Sequence, residues 1–208
     1  LSVWHLSLKF TTVANATLLP NFAPVFVALG AWLFLKERIR LSFIVGMAIA
    51  VTGTVLMVGT SFTIDMARFW GDALGLATAV FYAGYILSVK SLRSRFSTVA
   101  VMACSGTVTC AAVLAVALAA GEKLVPGSAR GWAVLVAMGL VSHVCGQGLI
   151  TYALAHLKAG FSSVGLLLQP VLATLLAWAL FHETLNPLQA AGGALVLAGI
   201  IAARREGA

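Results

Sequence analysis

The stretch LLLQPVLATLLAWALFHETLNPLQAAGGALVLAGI (residues 166–200) decides the class of fold. Two apolar runs flank one short polar turn at His182, Glu183 and Thr184, and each approaches the ~20 residues that a membrane-spanning helix needs. Moving outward, the same pattern repeats. Apolar runs occupy roughly 11–35, 41–61, 70–89, 97–120, 131–154, 159–181 and 187–203. Leu1 to Leu8 reads as the tail of a further helix. No strand alternation competes, and a barrel would show dyad segments of about ten residues instead.

Composition agrees with the runs. The 208 residues are 61% hydrophobic and 9% charged, with a mean hydropathy of +1.04. A soluble domain holds about 45–50% apolar and about 25% charged residues, so a surface this apolar would aggregate in water. The sequence predicts an all-α, polytopic bundle of transmembrane helices whose main partner is the lipid bilayer. The charged residues fall at or between the run ends, as the cost of a charge at mid-membrane requires. The formal charge of +7 does not indicate nucleic acid, because Lys and Arg sit in short interhelical clusters and not on one contact face. Cys104, Cys110 and Cys145 lie inside apolar runs, match no zinc spacing and read as inert thiols. No metal site, cofactor motif or signal peptide is read from the sequence. The absence of a G-x-x-x-x-G-K-[ST] loop argues against ATP-driven transport by the chain itself.

Lys/Arg counts in alternate loops set an orientation. Lys36, Arg38, Arg40, Lys90, Arg93, Arg95, Lys158, Arg204 and Arg205 share one side, and Lys9, Arg68, Lys123 and Arg130 the other. The first set and the C-terminus are therefore expected in the cytoplasm, with the chain in a bacterial inner membrane.

At an offset of 146 residues the chain matches itself. Pro24 falls on Pro170, Ala31-Trp32 on Ala177-Trp178, Glu37 on Glu183, and Gly46 and Gly53 on Gly192 and Gly199. Glu37 ends a helix on the cytoplasmic side and Glu183 on the outer side, so the two copies are expected to run in opposite senses. Inverted repeats characterise many secondary transporters, with sites near the midplane at the repeat interface.

The segments PVFVALGAWLFLKERI (24–39), GDALGLATAVFYAGYIL (71–87) and the 166–200 stretch resemble the EamA domains of the drug/metabolite transporter superfamily. The resemblance covers nearly the whole chain and implies inverted five-helix repeats with cytoplasmic termini. Residues 1–61 would then hold the end of helix 3 with helices 4–5 of the first repeat, and 69–208 the complete second repeat. The first repeat is thus expected to be truncated and the sequence a fragment, its start lying ~77 residues before Leu1 when the repeat and span lengths are carried back. The resemblance also implies export of small polar metabolites or amino acids by alternating access. The rival classes are an intramembrane enzyme, for which no nucleophile–base or paired-acid motif is present, and a structural subunit, against which the repeat argues. Homodimerisation is compatible with the sequence.

Polar residues within spans are the site candidates, because such groups turn inward from lipid. His143, Gln147 and Thr151 follow i, i+4 and i+8. Thr78, Tyr82 and Tyr85 form a second stripe, and Ser162 and Gln169 share a third face. Tyr82, Tyr85, His143, Gln147 and Gln169 are expected to line a polar cavity for a small-molecule substrate, with Asn15 and Asn21 as weaker candidates. Pro20, Pro24 and Pro170 read as bends. Glu37 and Glu183, at helix ends where the dipole opposes them, read as rim or packing residues. The Gly71/Gly75 pair permits close helix approach.

Overall fold

The computed structural model describes residues 2–58, 68–121, 125–182 and 184–204, and every regular element in them is helical. The helices are α1 (Ser2–Phe10), α2 (Val13–Leu18), α3 (Ala23–Phe34), α4 (Leu41–Val58), α5 (Phe69–Arg93), α6 (Thr98–Ala119), α7 (Ala129–Met138), α8 (Gly148–His156), α9 (Ala159–Gly165), α10 (Leu168–Phe181) and α11 (Pro187–Arg204). A 3-10 turn, Leu19–Phe22, joins α2 to α3, and a π-helical segment, Gly139–Gln147, joins α7 to α8. Read through these junctions, seven helical stretches are long and apolar enough to cross a membrane. Their bounds lie within a few residues of the seven apolar runs. Trp32, Phe34, Trp178 and Phe181 are each more than half exposed, a surface that lipid covers and water would not tolerate.

Two compact units divide the chain. The first holds Leu1–Ser88 and Leu157–Ala208, and the second Val89–His156. In the first, Phe43, Ala50 and Met57 of α4 pack with Val196 and Ala203 of α11 and with Val164 and Val171, forming a buried apolar core. The α4–α11 seam is tight because glycines line it. A Cβ built on Gly46 would stand 2.7 Å from the Gly199 carbonyl oxygen, and one on Gly53 would stand 2.6 Å from that of Gly192. These helices are copies of each other at the 146-residue offset, yet low numbers of one meet high numbers of the other. They run antiparallel, so the repeat is inverted.

The GxxxG of α5 is also used. Gly71 lets the α5 backbone approach that of Phe10 and Thr11, where a Cβ would come within 2.5 Å of the Phe10 carbonyl carbon, and Gly75 faces Leu19. In the second unit, Arg93 Nε donates to the Thr151 carbonyl at 3.2 Å and a further guanidinium N–H reaches the Phe96 carbonyl. Thr151 Oγ1 lies 3.4 Å from Met102 Sδ, which joins α8 to α6.

Candidate functional site

Both repeats contain a broken helix at equivalent positions. In the first, Pro20 has no N–H for the Ala16 carbonyl, so α2 ends at Leu18 and α3 begins at Ala23. Trp4 Nε1 takes the freed Ala16 carbonyl at 2.9 Å, and Asn21 Nδ2 donates to the Thr17 carbonyl at 2.7 Å. Pro24 removes the next bond, and the Pro20 carbonyl accepts from Ala23 N instead. The second repeat does the same around Pro170, where Gln169 N donates to the Leu166 carbonyl at 3.0 Å between α9 and α10. The expected bends are therefore helix breaks, with three-residue bonds replacing four-residue ones. Such paired interruptions in inverted repeats mark transporter sites at membrane depth.

The first unit holds Asn15, Asn21, Tyr82, Tyr85 and Gln169, and the second holds His143 and Gln147. Tyr82 and Tyr85 are half-buried and stack on one side of α5, with ring centroids 6.2 Å apart and 10° between planes. The neighbouring Thr78 hydroxyl is satisfied within the helix, donating to the Leu74 carbonyl. Gln169 is exposed in the first turn of α10. Ser162 lies across the break from it, so one helical face does not carry both. The Ser162 hydroxyl is buried with no hydrogen-bond partner among the described residues. Asn21 is tied to its own helix as described above.

His143 and Gln147 lie on the nine-residue π segment. The i, i+4, i+8 spacing assumes an α-helix, and a π turn is wider. Along the stripe His143 is exposed, Gln147 half-buried and Thr151 buried against α6. The His143 ring faces α6 at Gly106, whose added Cβ would lie 3.9 Å from Nε2. π segments occur frequently at functional sites.

One group was missed in the sequence. Asp72, in the first turn of α5, is half-buried and accepts from Thr11 Oγ1 at 2.5 Å and Asn15 Nδ2 at 2.9 Å, through Oδ1 in both bonds. Asn15 is fully buried, so its amide joins α2 to the start of α5. A carboxylate at a helix N-terminus is favoured by the dipole, and its place near a run end made it look like a boundary charge. Glu37 Oε1 accepts from Ala159 N at 3.1 Å, linking the two repeats. Glu183 lies outside the described residues. Among the described residues, no group of His, Cys, Asp and Glu could hold a metal ion.

The profile of the EamA-like transporter family matches residues 1–59 and 69–205. The chain belongs to this family. Among its EamA-like relatives, the protein named Pseudopaline exporter CntI of Pseudomonas aeruginosa is 31% identical over 193 residues, covering 93% of this chain and 66% of that protein. The Probable terminal-alkyne amino-acid exporter of Streptantibioticus cattleyicolor is 33% identical over 197 residues, covering 92% and 64%. The chain thus spans about two thirds of the length of these two relatives. A solved structure superposes with a TM-score of 0.82 at 23% identity, over 97% of this chain and 72% of that one, and shares the fold. The seven apolar spans together with this family membership make the protein an integral, multi-pass membrane protein.

Proposed function

We propose that the chain forms the larger part of a secondary transporter that exports small polar or zwitterionic metabolites by alternating access. The observation that carries this reading is the pair of repeat-equivalent helix breaks, at 19–22 and 166–167, in helices of an inverted repeat. Breaks of this kind recur beside solute sites at membrane depth. The relatives' names support export of small metabolites, and Tyr, His, Gln and Asn offer donors and acceptors without a fixed charge. Tyr82, Tyr85 and Gln169 are the proposed substrate contacts of the first unit, with Asn15 and Asn21 as weaker candidates, and His143 and Gln147 those of the second. Residues 1–61 and 69–208 act as the two repeats, in a bacterial inner membrane with the C-terminus in the cytoplasm, either alone or as a homodimer.

The test is export of amino acids in everted vesicles with Gln147→Ala and Gln169→Ala. Loss of a side-chain hydrogen bond of about 1 kcal/mol lowers apparent affinity about fivefold, with insertion unchanged. Normal transport by both variants refutes the assignment.

A further inference from the structure

The strongest unassigned feature is the bond between the α3–α4 connection of one repeat and the start of a helix in the other. α9 begins at Ala159, and its N-cap residue is Lys158, whose extended backbone carries no capping bond from its own side chain. A lysine has no acceptor with which to cap. The equivalent helix of the first repeat, α2, is capped locally: Thr12 Oγ1 accepts from Asn15 N at 3.1 Å. The missing cap of α9 comes from 122 residues away, through Glu37 Oε1 on Ala159 N.

The backbone is shaped to deliver that carboxylate. Lys36, just before Glu37, has a φ of 56°, in the left-handed region that non-glycine residues avoid. The Glu37 N–H turns back to the Ala31 carbonyl at 3.1 Å. Among the described residues, the other non-glycine with positive φ is His182, which is Lys36 carried forward by the repeat offset. The same costly turn closes both copies of the helix, so it belongs to the repeat and is not an accident of one loop. Strain of this sort persists where the surroundings over-determine it and gathers at working positions. At the end of α3 the carboxylate opposes the helix dipole, whereas at the start of α9 it is favoured. A small cleft of about 30 Å³ lies beside it, lined by Glu37, Arg38, Phe43, Lys158 and Phe161 among others.

We propose that Glu37 is a positioning residue of the transport cycle: an inter-repeat latch that holds the start of the second repeat's broken helix against the first repeat. The inference rests on the transporter reading above. In a rocking mechanism the latch sets the balance between the state seen here and one in which the α9 entrance has separated. Its loss therefore changes maximal rate more than KM.

The full chain, with Cys104, Cys110 and Cys145 replaced by Ser and Ala159→Cys added, is measured in membrane vesicles. Position 159 is fully buried here. Glu37→Ala raises its alkylation rate about tenfold, the scale of one charge-assisted bond. Glu37→Gln, which keeps an acceptor oxygen, gives an intermediate rate and covers the case in which the alanine variant fails to insert. Adding Lys158→Thr to Glu37→Ala supplies the local cap that the first repeat has. It restores thermal stability but neither protection at 159 nor maximal transport rate. Recovery of all three would show that Glu37 only caps a helix, and an unchanged alkylation rate in Glu37→Ala would show that no latch exists. Alkylation is read without any substrate, so a chain with the latch but no transport refutes the function and leaves the latch standing.

Discussion

Replacing Gly53 by alanine tests the seam between α4 and α11. In an open helix this change is favourable, since alanine is about 1 kcal/mol better than glycine in a helix interior. At Gly53 the new methyl would stand 2.6 Å from the Gly192 oxygen and 2.7 Å from Val196 N. Carbon atoms pack best at about 3.5–4.0 Å, so the seam must part by roughly 0.9 Å at this level. Both obstacles are backbone atoms and cannot rotate away. A gap of 0.5–1 Å forfeits about a quarter to a half of each dispersion contact it opens. With the usual overpacking cost of about 1–3 kcal/mol set against that propensity gain, the net effect is destabilising by up to about 2 kcal/mol. The control is Gly84→Ala in α5, where a Cβ meets nothing within 4 Å and propensity acts alone. Thermal unfolding of the detergent-solubilised chain, followed by circular dichroism, compares the two. The expectation is a lower midpoint for Gly53→Ala and an equal or higher one for Gly84→Ala. Because Gly53 and Gly192 touch, Gly53→Ala and Gly192→Ala should not add. If Gly53→Ala is as stable as the control, the tight seam is not what holds these helices together.

Asp72→Ala leaves the buried Asn15 amide and the Thr11 hydroxyl without their shared acceptor and should cost about 1–3 kcal/mol, read as a lowered unfolding midpoint. Asp72→Asn keeps an oxygen and should cost less. For orientation, a single cysteine at Arg95 should resist a membrane-impermeant maleimide in intact cells, while one at Arg130 should react; the opposite labelling overturns the assignment of sides.

The spans were legible because length and hydropathy are properties of single segments. The inverted repeat was legible because Pro, Trp, Glu and Gly recur at one offset in a chain otherwise made of interchangeable aliphatics. Partnerships were not. Nothing local to Glu37 points to Ala159, and nothing near Asp72 points to Asn15, since both bonds join distant segments. The helix breaks were half visible: the prolines marked where bonds must be lost, but not that Trp4 would take the freed Ala16 carbonyl. The π segment left no signal. GLVSHVCGQ has no residue that forbids an α-helix, so the polar stripe through His143 and Gln147 was drawn on the wrong period. The neighbour that the Gly71/Gly75 pair meets was not legible, because in a chain with 20 glycines spacing alone cannot say which face is covered.

The glycine seam also bears on how the chain is made. Its touching residues lie 135 to 157 positions apart, so α4 leaves the ribosome roughly 7–30 s before α11 at common synthesis rates. Through that interval α4 is threaded and inserted with its glycine-lined face turned to lipid, a surface that fits a helix backbone far better than it fits acyl chains. A newborn chain in this condition invites pairing with the wrong helix, including α4 of a second nascent copy. Final assembly of the seam then waits on α11, and a chain halted before residue 187 would leave the glycine-lined face of α4 uncovered.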